Sequence, residues 1–487
     1  MKLTIARFTL ELLSPMHIGS GLSHPTTDSP VVRDAFGDYR IPGSSLAGAL
    51  RAATEESIWG TAGKDNSASM IDVSDGFLVD FDGYTTLHKR LANQTVAFRA
   101  LPELQDHVRI DHRTGAAEEG GKFDAEVIPQ GTRFRCELVL SERSGTSDDR
   151  LSAARVAFWN ALRLLQLGAL ALGGDVSSGL GLVRIVDNSL TLGTHDFTTL
   201  DGLTAARNRS WSIDEPAGKD NGAQSLAKAA RAAACPLDGI SGKVVLRFRS
   251  DGPLLVGGSQ RPSAKANADK NHGADLVFGE SLVADYTVKA LVAKPWIAGS
   301  SLRGAIRHRT WHIFEALGLS EDNAKLQMDE LFGSIDGATG CASKVRFYGC
   351  FLADEPRTAV QHVAIDRLTG GSLRGALFCE APIWREGLPI EIAITLDGIR
   401  DAHAVALTHA LIDMAHGELS IGGGTSRGNG RLLLDDATGE GSWHGKAVTF
   451  ELHRDGQTIT NKSSADIIDL FIDQLEAANT ALAGGKV

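Results

Sequence analysis

Two residue patterns in this chain could do chemistry on a polyanion. The first is glycine beside small hydroxyl or basic residues. PGSSL at 42–46 contributes Gly43, Ser44 and Ser45, and GGGTSRGNGR at 422–431 places Gly423, Arg427 and Arg431 in a run with five glycines. Backbone N–H groups in tight glycine turns form anion-binding concavities, and a helix N-terminus adds partial positive charge. Both segments suit a sugar-phosphate backbone; tight structural turns are the alternative. The second pattern is a carboxylate, Asp28, in TTDSPVVRD at 26–34. An insert rich in Thr, Ser and Pro leaves it exposed. A plain turn aspartate is the competing role. Asp34 reads as structural, capping or pairing with Arg33. His17 and His24 are acid–base candidates or hydrogen-bonded fixtures.

Other chemistries are not signalled. The sequence holds no P-loop, HD pair, zinc motif or dinucleotide fingerprint. Its five cysteines are scattered without C-x-x-C spacing, which fits a reducing compartment. The N-terminus alternates like a strand rather than a signal peptide, and the most apolar helical stretch, ALRLLQLGALAL, is interrupted by Arg163 and Gln166. No membrane partner and a cytoplasmic location are expected. The net charge of −11 weighs against a nucleic-acid binder, although local distribution matters more than the sum.

The elements that must position these residues come twice. IPGSSLAGALR at 41–51 recurs as IAGSSLRGAIR at 297–307, identical at eight of eleven positions. The match brings Gly299, Ser300 and Ser301 into the same reading as Gly43, Ser44 and Ser45. HIGSG at 17–21, with Gly19, is matched loosely by LVGGS at 255–259. IWG and LFG, RIDHRTGAA and AIDRLTGGS, and LGGDVSSGLGLVRI and IGGGTSRGNGRLLL follow in the same order. This is a tandem duplication of a whole domain of about 200 residues, not a solenoid. The boundaries expected are 1–190 and 241–450 for the two domains, a 191–240 linker, and a 451–487 extension carrying an amphipathic helix. Within a copy the order reads strand, glycine turn, insert, helix, strands, helix, glycine turn, strand. That predicts an α+β fold, a ferredoxin-like or RRM-type sheet with insertion loops. Ser44 or Ser45 is expected to cap the first helix. Arg51 on the first of the two matching helices, and Arg303 and Arg307 on the second, stand where positive charge would serve a phosphate backbone; surface ion pairing is the alternative.

These motifs resemble the RAMP superfamily of CRISPR-associated proteins, in particular the backbone subunits of type III effector complexes (Csm and Cmr). Two units in one chain resemble the fused subunits of type III-D-like systems. The resemblance implies assembly along a CRISPR guide RNA, beside large, stem and small subunits. A thumb-like hairpin from each unit would kink the guide, placing Arg113 and Arg367 near phosphate. It further implies cleavage of complementary target RNA by 2′-hydroxyl attack, with Asp28 as the catalytic residue and as ligand of a divalent cation, Mg²⁺ or Mn²⁺. In the second copy Asp285 stands 12 residues before Ile297, as Asp28 stands 13 before Ile41, and is the expected counterpart; Asp275 is the poorer match. A guide-binding scaffold without catalysis is the alternative function, and a duplicated small-molecule protein a third. Fusion would hold two guide-binding units in fixed order without the entropy cost of associating them.

Overall fold

A computed structural model describes residues 1–22, 25, 27–54, 56–60, 67–101, 103–111, 117–207, 220–221, 239–257, 274–334, 340–455 and 458–461. In chain order the first unit runs β1 (Lys2–Leu12), α1 (Gly43–Ala53), β2 (Ile71–Val73), β3 (Gly76–Leu78), β4 (Glu103–Ile110), β5 (Ala117–Val127), β6 (Arg133–Glu142), α2 (Asp148–Leu167), β7 (Leu182–Ile185) and β8 (Thr191–Asp196). The second runs β9 (Ile240–Ser250), β10 (Leu276–Val277), β11 (Glu280–Asp285), β12 (Ala290–Ile297), α3 (Gly299–Ala316), α4 (Glu321–Phe332), β13 (Val345–Phe347), β14 (Val360–Ile365), β15 (Ser372–Ala381), β16 (Pro389–Ile399), α5 (Asp401–Ala415), β17 (Leu432–Trp443), β18 (Lys446–Asp455) and β19 (Thr458–Asn461).

The fold is α+β. In each unit the long first strand lies inside an antiparallel sheet. β1 pairs β6 on one side and β7 and β8 on the other, with β2 and β3 beyond β6. The second sheet repeats this as β13-β16-β9-β17, continued by β18 and β19. Alternate residues of the strands and one stripe of each helix close the cores: Phe8, Phe134, Leu46 and Phe158 in the first unit, Phe248, Ile390, Leu302 and Leu407 in the second. The first sheet reaches past residue 190, because Thr191–Asp196 pairs with β1. The second reaches past 450 through β18 and β19. The rest of the expected linker (208–219 and 222–238) and the C-terminal helix lie outside the described residues.

The repeated helix start has a different cause from the one expected. Pro42 and Ala298 stand at the N-caps, and neither helix has a side-chain cap. Glycine is needed there for close packing. A Cβ on Gly43 would lie 2.6 Å from the Val73 carbonyl, and one on Gly299 would lie 2.2 Å from that of Phe347, the matching strand of the second unit.

The two units meet through different surfaces. The β11–β12 hairpin of the second lies on the first, where the Ala284 N–H donates to Gln130 O at 2.7 Å. At its tip Tyr286 enters the first unit. Its hydroxyl donates to Val79 O (2.7 Å) and accepts from the Arg133 N–H (3.3 Å). Phe81 lies edge-on to its ring and the Arg133 guanidinium stacks 4.3 Å from the ring centre. Beside it the buried Glu103 carboxylate accepts from the Ser281 hydroxyl (2.5 Å) and the Leu282 N–H (2.9 Å). A third contact puts the first unit's glycine turn against the second unit's helix start: a Cβ on Gly299 would lie 2.1 Å from Ser178 O. Such a pairing of unlike surfaces is heterologous.

Two outcomes follow from this junction. Tyr286→Ala should lower stability in urea denaturation by about 3 kcal/mol, since it removes a largely buried ring, while Tyr286→Phe should cost about 1 kcal/mol. Burial pushes the Glu103 pKa up to about 7 from its ordinary 4.5, against the pull of its hydrogen-bond donors. The folded chain therefore holds this proton more tightly than the unfolded one, and the contribution to stability falls as pH rises from about 4.5 through about 7. Stability against pH measured for wild type and Glu103→Gln should differ by that downward slope, which the variant lacks.

Candidate functional site

The carboxylate read as chemically competent sits at the root of the β4–β5 hairpin. Asp28 is exposed. Its N–H donates to Asp124 Oδ1 (2.8 Å), and the Asp124 N–H donates back to Asp28 Oδ2 (3.0 Å). The Thr27 hydroxyl also donates to Asp124 Oδ1 (2.8 Å). The two residues are thereby locked together, each carboxylate on the other's backbone N–H. The run behind them is anchored by buried Glu126, which accepts from the Val31 N–H (2.9 Å) and pairs with Arg33. Arg33 in turn lies over Tyr39 and donates to Gly37 O and Ala100 O. Asp34 is a turn cap, accepting from the N–H groups of Phe36 and Asp38 rather than pairing with Arg33. His17 is buried beside the same strand. Its Nδ1 bonds the Glu126 carbonyl (2.7 Å), so that nitrogen carries the proton and Nε2 accepts from the Ser29 hydroxyl at 3.1 Å. His24 and Arg113 lie outside the described residues.

The second unit corrects one assignment. The counterpart of Asp28 is Asp275, not Asp285. Ser29 bridges Ala125 in parallel, as Leu276 pairs with Glu380, and Asp275 Oδ2 accepts from the Cys379 N–H (2.8 Å) as Asp28 does from Asp124. Asp285 instead caps the tip of the docking hairpin, accepting from the N–H groups of Thr287 and Val288, and those bonds hold its pKa below the usual carboxylate range. Counting back from the helix failed because this hairpin adds length between the carboxylate and the helix. Around Asp275 the neighbours also change: Leu255 stands where the first unit has His17, Cys379 where it has Asp124, and Ala381 where it has Glu126.

Several residues expected on phosphate are engaged elsewhere. The Gly43 N–H donates to Asp75 Oδ1 (2.7 Å), so a carboxylate already occupies that helix end; its other oxygen takes Arg40 (2.9 Å). The Gly423 N–H is taken by Leu255 O at 2.7 Å. Arg431 pairs with Asp251 at 2.9 Å and Arg427 pairs with buried Glu380. Arg303 donates to Phe332 O (2.6 Å); burial pushes its pKa down to about 10, Arg307 adds to the shift, and Asp175 from the first unit opposes it. Burial likewise lowers Arg307, with Asp329 opposing. Ser44 is exposed, Ser45, Ser300, Ser301 and Arg51 are half-buried, and Gly19 is exposed next to His17. Arg367 is exposed at the β14–β15 turn, which Asp366 caps through the Leu368 and Thr369 N–H groups.

What sequence reasoning missed is a pair of stacked rings repeated in both units. His107 lies across from Phe123 with ring centres 4.9 Å apart, and His362 across from Phe378 at 5.0 Å. Each pair adjoins the residue that binds the hairpin-root aspartate, Asp124 or Cys379. Burial lowers the His107 pKa, with Asp175 and Asp106 opposing. Towards the tips both hairpins expose apolar residues at matching positions, Val108 and Ile110 in one, Val363 and Ile365 in the other, with a register shift at the same place. The signal in the sequence was HVRID and HVAID, each followed by a Phe on the return strand.

Among the described residues no group of three or more His, Cys, Asp or Glu could hold a metal ion. Asp28 and Asp124 supply two carboxylates, a donor set that suits a Mg²⁺-type ion only when substrate phosphate and water complete its shell.

This arrangement has relatives. The chain belongs to the RAMP superfamily, whose family model matches residues 9–184 and again 252–433, so that it carries two RAMP units in tandem. It is similar to the protein of Methanocaldococcus jannaschii named CRISPR system Cms endoribonuclease Csm3, with 26% identity over 199 residues, covering 37% of this chain and 77% of that one.

Anchoring and chemistry separate by mutation. Glu126→Ala leaves Arg33 and the Val31 N–H without their carboxylate and should cost about 3 kcal/mol in urea denaturation. Asp28→Ala removes one solvent-facing acceptor and should cost under about 1 kcal/mol.

Proposed function

We propose that this chain is a guide-RNA-binding backbone subunit of a type III CRISPR effector complex and that its first unit cleaves complementary target RNA. The observation that carries this reading is Asp28: an exposed carboxylate, fixed by reciprocal hydrogen bonds at the root of a projecting hairpin, inside a RAMP unit. The sheet order, last-first-third-second within each unit, supports the ferredoxin-like form of the α+β fold. The partners are a CRISPR guide RNA, the target RNA and the other subunits of the complex. Among the described residues no helix is long and apolar enough to cross a membrane.

Cleavage is attack of the target's 2′-hydroxyl on the adjacent phosphorus: the O2′–P bond forms, the P–O5′ bond breaks, and the products are a 2′,3′-cyclic phosphate and a 5′-hydroxyl that takes its proton from water. Asp28 accepts the hydroxyl proton; a divalent cation, if bound, would be held by Asp28 and Asp124 and would supply relief of the charge repulsion between carboxylate and phosphate. His17 bridges the Glu126 carbonyl and the Ser29 hydroxyl and so fixes the strand that presents Asp28. The exposed apolar flanks of the hairpins and the stacked His–Phe pairs offer bases a surface that needs no basic charge. The second reading is a scaffold that binds guide without cutting. The second unit favours it for itself, since around Asp275 it lacks the counterparts of His17, Asp124 and Glu126.

The test uses the complex assembled on its guide, labelled complementary RNA and Mg²⁺. Asp28→Ala should remove one discrete product from the sequencing gel, lowering its rate by at least about 100-fold with target binding intact. Asp285→Ala should leave the ladder unchanged. Loss of a second product in Asp275→Ala would make the second unit a cutter as well. A wild-type ladder from Asp28→Ala would leave the scaffold reading.

A further inference from the structure

A cavity of about 310 Å³ opens between α5 and the outer half of the second sheet, lined almost wholly by carbon. Val244, Leu411, Val448, Phe450 and Leu452 line it and are only half-buried. Their situation differs from that of the first unit. Leu162 and Ala6, which hold the places of Leu411 and Val244 on the matching helix and strand, are fully buried. The same face of the same fold is sealed in one unit and open in the other.

Three observations name what covers it. The chain itself leaves the described structure at the rim of the groove: Asn461 on β19 pairs with Leu452 on β18. The 26 residues that follow in the sequence, 462–487, lie outside the described residues and include SADIIDLFIDQLEAANTALA. Ile467, Ile468, Phe471, Leu475, Ala478 and Leu482 fall at helical spacing in that segment, with Asp466, Asp469, Asp473 and Glu476 between them. As a helix the stripe would be about 24 Å long, enough to run past the width of sheet between Val448 and Leu452, about 13 Å. We propose that residues 467–482 of the same chain dock as an amphipathic helix in this groove, their apolar stripe on Leu411, Phe450 and Leu452, and seal the second unit as the first is sealed.

The test places the photoreactive residue p-benzoylphenylalanine at Ile412, an exposed lining position of the groove, in the full-length chain. After irradiation, peptide mapping should show adducts to residues 467–482 within one chain, and a denaturing gel should show no product of doubled mass. In a second preparation, Phe471→Asp with Leu475→Asp should abolish those adducts. It should also raise fluorescence of an apolar dye several-fold while far-ultraviolet circular dichroism keeps the signature of the sheets. Adducts joining two chains would assign the groove to a second copy and overturn the proposal. Adducts to another subunit, the absence of adducts to 467–482, or unchanged dye binding in the double variant would overturn it equally.

Discussion

The seating of Tyr286 in the first unit is the contact on which the arrangement of this molecule depends. One ring meets Phe81 and the Arg133 guanidinium, and its hydroxyl both gives and takes a hydrogen bond there. The hairpin that carries it is also the segment that lengthens the path between the hairpin-root aspartate and the following helix. A single insertion therefore joins the units and moves the second unit's carboxylate away in sequence from where the first unit's spacing would put it. The Glu103 hydrogen bonds and the approach of Ser178 to Gly299, where backbone meets backbone too closely for a side chain to intervene, complete the junction.

The duplication was legible because close approaches and left-handed turns demand glycine, and those demands recur wherever the fold recurs. IPGSSL and IAGSSL kept their glycine for lack of room, and the two glycine turns kept theirs at φ near +80°, Gly173 and Gly422 among them. The purpose of those glycines was not legible. A sequence shows that N–H groups exist but not that Asp75 and the Leu255 carbonyl already take them. Asp28 was found because a distinctive run surrounds it. Asp275 was passed over because its partner residues lie a hundred positions later, across a parallel bridge. The stacked His–Phe pairs were missed for a related reason: the two rings of each are on different strands, and only the register of the hairpin brings them together.

The acidic balance of the chain acquires a local meaning. Many arginines that a sequence reading would spend on phosphate are neutralised within the fold: Arg33 by Glu126, Arg40 by Asp75, Arg427 by Glu380, Arg431 by Asp251. The Glu126 and Glu380 carboxylates are buried and tie their arginines into the fold, whereas the Arg431–Asp251 pair is exposed and contributes little. Recognition that relied on them would first have to break them. The exposed apolar residues and stacked rings of the two hairpins carry no such penalty.

A junction between unlike surfaces gives each unit a permanent address. Identical subunits that assemble from solution must all keep whatever any one of them needs, because each can occupy any place. Here the first unit always presents its glycine turn and the second always receives it. A substitution in one is felt at one position only. Selection can then act on the two halves as on separate genes, so that the surroundings of Asp275 can differ from those of Asp28, as they do, without loosening the frame that both share.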